Sequence, residues 1–274
     1  MCGQREDGYH NLQTVFQFLD VGDELQFELT LEAEPVLNLQ PAFEGVAFED
    51  NLIIKAAHLL QQTNEYQRLP QKPGANISIE KKLPMGGGIG GGSSNAATAL
   101  WGLNKLWCLN IERSRLQELG LKLGADVPVF LFGKSAWAEG VGESLQAIQL
   151  QESWLILAIP DCHVSTKEIF LNSSLTRDTK ITTMAAFLEH SDSNKAKQTF
   201  KNDCESLVRT LYSEVDEALN TLSQFGLAQM TGSGACVFVL FSSKQEALNV
   251  QAQLPEFLTT IVCKAVNDSL LYKS

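Results

Sequence analysis

Two domains of mixed helix and strand are predicted by three features of this sequence. A strand pattern at Ala75–Glu80 runs into residues 86–92, where every position but Ile89 is glycine, and a helical pattern follows. Beyond residue 150 the apolar spacing alternates helix, strand, helix, strand. With 274 residues, 44% of them hydrophobic, the chain can build one large core or two smaller ones. The boundary is placed near residue 150, giving domains 1–150 and 151–274.

The elements follow in order. Leu25–Leu31 and Val36–Leu39 have strand character. Asp50–Leu60 opens on a cap residue and has the spacing of an amphipathic helix. After the glycines, Ala96, Ala97, Leu100, Leu103, Asn104 and Trp107 recur at helical intervals, and Ser93, Ser94 or Asn95 can cap that helix. Ile111–Leu123 is a further helix, ended by Gly124. Ser135–Glu139 and Leu145–Gln149 suit a strand pair around the turn Gly140–Gly142, and Trp154–Ile159 a buried strand stopped by Pro160. Residues 172–180 are polar and unpatterned, hence a loop, and Thr182–His190 a short helix. Asp203–Leu211 and Ser213–Phe225 have helical spacing. Gln229 and Met230 lead into the turn Gly232–Gly234, and the strand Ala235–Phe241 follows. Ser243–Leu254 is a helix and Thr260–Val266 the last strand.

Glycine loses more freedom on folding than any other residue, so a run of it serves something that needs bare backbone. An anion held by unpaired N–H groups at a helix N-terminus is the usual reason, and phosphate the usual anion. A P-loop is excluded because no lysine follows these glycines. A dinucleotide fingerprint fits Gly86, Gly88 and Gly91, but a run so rich in glycine matches it by accident. The acidic residue that fingerprint requires has no good candidate, since Glu112 lies between two helices.

Composition removes other classes. The net charge of −11 argues against a nucleic-acid or anionic-membrane surface. No apolar run reaches the length of a membrane span, and the N-terminus is no signal peptide. The six cysteines (2, 108, 162, 204, 236, 263) are scattered, and most fall in apolar or helical surroundings, which suits reduced, buried thiols of a cytoplasmic protein. The four histidines are far apart, and no metal site is expected.

Three smaller constellations leave alternatives open. Asp126, in Leu-Gly-Ala-Asp-Val-Pro-Val-Phe, suits either an N-cap for a helix through Pro128 or a general base. His10, in Gly-Tyr-His-Asn-Leu, suits an ordinary turn or a ligand contact. Thr231-Gly-Ser-Gly-Ala-Cys236 suits a tight loop or the wall of a site. Phe170 is a core aromatic by default.

The segment Pro84-Met-Gly-Gly-Gly-Ile-Gly-Gly-Gly-Ser-Ser-Asn-Ala-Ala97 resembles, position by position, the ATP loop of the GHMP kinases. Further motifs, Gly8-Tyr-His-x-Leu-Gln-Thr14, the Asp126 segment, Asn202-Asp-Cys-Glu205 and Thr231–Cys236, resemble in order one branch of that superfamily, the 4-diphosphocytidyl-2-C-methyl-D-erythritol kinases. The resemblance runs from about residue 3 to the C-terminus. It implies an α+β, two-domain GHMP kinase fold, with an N-terminal domain like domain 2 of ribosomal protein S5 and a ferredoxin-like C-terminal α/β sandwich. It implies ATP and Mg²⁺ as cofactors and a cytidine-diphosphate-linked methylerythritol, of the non-mevalonate isoprenoid pathway, as the acceptor. A monomer or weak homodimer is expected.

The residue roles are likewise implied by the resemblance. Pro84, Met85, Gly86, Gly87, Gly88, Ile89, Gly90, Gly91, Gly92, Ser93, Ser94 and Asn95 would hold the triphosphate. Asn51, Leu52 and Lys81 would lie around the adenosine. Asp126 would be the catalytic carboxylate. Tyr9, His10, Thr166 and Phe170 would form the cytidine pocket, with two aromatics sandwiching the base. Members also carry a Pro-x-Lys-x-Asn-x-x-Leu strand ahead of Gly-Tyr-His, and nothing in these 274 residues matches it. The chain as written is therefore expected to turn over slowly.

Overall fold

A computed structural model describes residues 1–6, 8–43, 45–84, 86–191 and 201–272. They divide between two units interleaved along the chain. The first comprises Met1–Asp20, Pro84–Ile89 and Ser135–Asn267, and the second Val21–Leu83, Gly90–Lys134 and Asp268–Ser274. The units thus do not follow a single break at residue 150. Strand pairing explains why: Thr14–Phe16 bonds to Ala136–Glu139, which bonds to Ser144–Ala147, so residues before and after the glycine run share a sheet.

The first unit is built on a five-stranded antiparallel sheet. Its order is Gln229–Met230, Val237–Phe241, Trp154–Ile159, Thr259–Val266, Phe18–Leu19. Ile156 stands opposite Val239 on one side and Val262 on the other. The helices Glu205–Leu211, Ser213–Leu222 and Lys244–Gln251 supply Val208, Val215, Leu219, Leu222 and Ala247 to the same core. The periodicity of Ser213–Leu222 alone predicts this, since Val215, Ala218, Leu219 and Leu222 mark one face. The first residues add a two-stranded ribbon, Gly3–Gln4 against His10–Asn11.

The second unit is a three-stranded sheet covered by helices. Gly74–Glu80 pairs antiparallel with Glu24–Thr30 and parallel with Leu37–Gln40, which sets Phe27, Ile77 and Leu39 in one row. The helices Leu52–Gln61 and Gly91–Leu106 pack together over that row, burying Ile53, Ile54, Ala57, Leu60, Ala96, Leu100 and Leu103. The helices Arg113–Leu121 and Val127–Phe132 complete the core through Leu116, Val127 and Leu131. Among the described residues no helix is long and apolar enough to cross a membrane.

All six cysteines are free, but only Cys204, Cys236 and Cys263 are buried; Cys2 and Cys162 are half-buried and Cys108 is exposed. Burial pushes the Cys236 and Cys263 thiols up to about 12, which keeps them protonated and inert.

Candidate active site

In the first unit the two glycine turns lie backbone against backbone. Thr231 Oγ1 donates to the Gly88 carbonyl at 3.2 Å, and the Cys236 amide donates to the Gly87 carbonyl at 3.0 Å. Gly88 has φ +69°, and a Cβ there would stand 2.4 Å from the Gly234 oxygen and 2.7 Å from that of Thr231. Gly232 answers it from the other side at φ +55°, where a Cβ would lie 2.7 Å from the Gly88 oxygen. No side chain fits at either position. The second turn is held from behind. Asn202 Nδ2 donates to the carbonyls of Met230, at 2.9 Å, and Gly232, at 2.7 Å, and Glu205 accepts from the Met230 amide at 2.9 Å. Asn202 and Glu205 therefore serve the turn.

His10 lies in a strand, not a turn, because its backbone pairs with Gln4. It is 5% exposed and meets Phe170 edge to face, with ring centroids 5.3 Å apart. Arg177 Nε donates to His10 Nε2 at 2.9 Å. Burial first, and then the positive charge of Arg177, hold the imidazole pKa below its usual value, so His10 is neutral at pH 7. Tyr9 beside it is 62% exposed, an uncommon setting for an aromatic. Thr166 opens the helix Thr166–Leu171, and its hydroxyl lies 2.7 Å from that of the buried Ser233, in the second glycine turn. His10, Phe170, Thr166 and the turn Thr231–Cys236 are thus connected within one unit.

In the second unit the helix Gly91–Leu106 starts from Gly90, whose φ of +70° is left-handed. No side chain caps this helix. Ser93, Ser94 and Asn95 lie inside the helix, past the position where a side chain reaches back to an amide. The first amides are left without intrahelical partners, the arrangement an anion needs. A Cβ on Gly90 would come 3.0 Å from the Phe130 ring. Met85 lies outside the described residues.

Asn95 has a different task. Its Nδ2 donates to Asp23 at 2.8 Å, and Asp23 also takes the Lys81 ammonium and the amides of Lys82, at 2.8 Å, and Leu83, at 2.9 Å. One buried carboxylate ties the end of the strand Gly74–Glu80 to the helix that follows the glycines. Burial alone would raise the Asp23 pKa, but these four donors outweigh it and hold the carboxyl below its usual value. Such a group stabilises the fold above its unfolded pKa and stops doing so as pH falls through its folded one. Asp23→Asn should therefore cost about 3 kcal/mol at pH 7. The gap in melting temperature to the parent should close in acid, below about pH 4. An equal gap at pH 7 and pH 3 would show that the charge of Asp23 is irrelevant.

Asp126 stands just ahead of the helix Val127–Phe132 and makes no cap hydrogen bond. Its turn adjoins the start of the glycine helix, since a Cβ on Gly124 would lie 3.9 Å from Ser93 Oγ. The residue is open to solvent, yet the protein around it desolvates the carboxyl enough to raise its pKa. Asn51 caps the helix Leu52–Gln61 by accepting from the Ile53 amide at 2.9 Å, and Leu52 is its first residue.

Residues 51–134 match the GHMP kinases N terminal domain, and residues 183–260 the GHMP kinases C terminal. A protein of Marinobacter nauticus named 4-diphosphocytidyl-2-C-methyl-D-erythritol kinase is 49% identical over 274 residues, covering 100% of this chain and 92% of that protein. The chain belongs to the GHMP kinase family.

Other GHMP kinases agree. A protein of the same name from Hahella chejuensis is 48% identical, over 98% of this chain and 90% of its own. The crystal structure of a 4-(cytidine 5'-diphospho)-2C-methyl-D-erythritol kinase superposes with a TM-score of 0.79 at 28% identity, covering 97% of this chain and 94% of that one. A mevalonate kinase structure, at 16% identity and a TM-score of 0.68, shares the fold. Within this GHMP kinase chain, Asp23 and Arg177 carry no motif of their own, and Ser233 lies in the motif Thr231–Cys236 without being singled out there. Their importance comes from partners distant in sequence, as between Asp23 and Asn95 or Arg177 and His10.

Proposed function

We propose that this chain transfers the γ-phosphoryl group of ATP to the 2-hydroxyl of 4-diphosphocytidyl-2-C-methyl-D-erythritol. The observation that carries this reading is whole-length identity of 49% to a kinase of that name, on a chain whose two glycine turns interlock. Pro84 and the backbone from Gly86 to Asn95 receive the triphosphate at the positive end of the helix Gly91–Leu106. Asn51, Leu52 and Lys81 flank the adenosine, Lys81 through its stem, because its ammonium is held by Asp23. Asp126 orients the acceptor hydroxyl and takes its proton as the oxygen attacks the γ-phosphorus and ADP leaves.

Mg²⁺, bound with the nucleotide, would supply charge neutralisation on the phosphates. On the acceptor side, Tyr9 and Phe170 stack on the cytosine while His10 and Thr166 hold its edge and its ribose-diphosphate arm.

ADP release measured with the cytidine substrate, homoserine and mevalonate in parallel tests this. Turnover with the cytidine compound alone is expected. Turnover with either other alcohol, or ATP binding without turnover, overturns it. Phe170→Ala should weaken the cytidine substrate by about 1–3 kcal/mol, read as KM, and leave KM for ATP unchanged. An unchanged KM for the cytidine substrate would place the base elsewhere.

A further inference from the structure

Arg177 lies in the loop after Thr166–Leu171, in no recognisable motif, and donates along its whole guanidinium. Nε bonds His10 Nε2 at 2.9 Å, Nη2 bonds the carbonyls of Phe170 and Asn172, both at 2.8 Å, and Nη1 bonds that of Leu175 at 3.1 Å. A guanidinium only donates, so Nε2 of His10 must keep its lone pair. The single proton of the neutral ring is then on Nδ1. Among the described residues Nδ1 has no hydrogen-bond partner, yet it is not one of the atoms sealed from solvent. His10 is otherwise buried, so its ring shows the outside one feature, an N–H donor.

Resting on the reading above, we propose that Arg177 is a positioning residue for base selection: it fixes His10 as an Nδ1–H donor, which matches the N3 acceptor of cytosine and opposes the N3–H of uracil. Two donors facing each other leave both unpaired, and a buried site built on hydrogen bonds discriminates strongly through such mismatches. The same guanidinium holds the carbonyl of Phe170, so the stacking ring and the edge-reading ring share one support. The low basicity of His10 fits this role, because protonation would put a second donor against Arg177.

The test has two arms. In protein with ¹⁵N-labelled histidine at neutral pH, ring ¹H–¹⁵N spectra should show His10 with the proton on Nδ1, and Arg177→Ala should move the ring toward the commoner Nε2–H form. In kinetics, the parent should prefer the cytidine substrate over its uridine counterpart by at least about 100-fold. Arg177→Ala should reduce that ratio by about tenfold or more, with KM for ATP unchanged. Arg177→Lys keeps a donor for Nε2 but lacks the fork, and should retain most of the ratio.

If Arg177→Ala raises KM for both substrates equally, Arg177 only braces the loop and the proposal fails. It fails equally if the parent His10 carries its proton on Nε2, a result that needs no variant to fold. If neither pyrimidine substrate is phosphorylated while the tautomer is as stated, the kinase reading is what falls.

Discussion

Asp126→Asn is expected to lower kcat by at least about 10²-fold and to leave KM for ATP nearly unchanged. The substitution keeps the shape and removes the proton acceptor. It takes no cap from the helix Val127–Phe132, because Asp126 makes no cap bond there. The raised carboxyl pKa carries two further consequences. The ionised form is the one that accepts a proton, so kcat should fall as pH drops through a value above the ordinary 3.8. A carboxylic acid whose pKa is higher folded than unfolded destabilises the fold once ionised, so at neutral pH the asparagine variant should melt no lower than the parent. Activity lost and stability held or gained is the signature of a catalytic carboxylate. Retained activity with a lower melting temperature would mark a structural one.

The second large effect is expected at Gly88. Gly88→Ala should weaken ATP binding by more than about 100-fold, or about 2.8 kcal/mol, measured by calorimetry on folded protein. The added carbon requires a left-handed backbone and meets carbonyl oxygens of Gly234 and Thr231 at 2.4 and 2.7 Å. Backbone cannot step aside as a flexible side chain would. Unchanged ATP affinity in a folded variant would remove this turn from the nucleotide site.

Much of the architecture was legible because it rests on local periodicity. Trp154–Ile159 was bounded to the residue, and the helix expected over Ser213–Phe225 spans Ser213–Leu222. The strands Gly3–Gln4 and His10–Asn11 were not legible. Two residues carry no alternation, and their pairing depends on a ribbon closed around Gly8. The cap of the glycine helix was misread for a related reason. Ser93, Ser94 and Asn95 are good caps by type, but a glycine able to reach φ +70° starts the helix earlier. In the candidate site the glycines and Asp126 announced themselves through neighbours in sequence. Asp23 bonds Lys81 across 58 residues and Arg177 bonds His10 across 167, separations no local pattern encodes.

The interlocked turns also bear on how this sequence can change. At Gly90 the steric obstacle to a larger residue is the Phe130 ring, which a smaller residue at position 130 would relieve in part, the left-handed backbone still favouring glycine. At Gly88 the obstacles are the main-chain oxygens of Gly234 and Thr231, and at Gly232 the obstacle is the main chain of Gly88, none of which can shrink further. A selection for second-site suppressors should recover position 130 for Gly90→Ala and return only true revertants for Gly88→Ala. The pair is then a point of no local escape: drift elsewhere in the chain can be compensated residue by residue, but these two positions can only be kept.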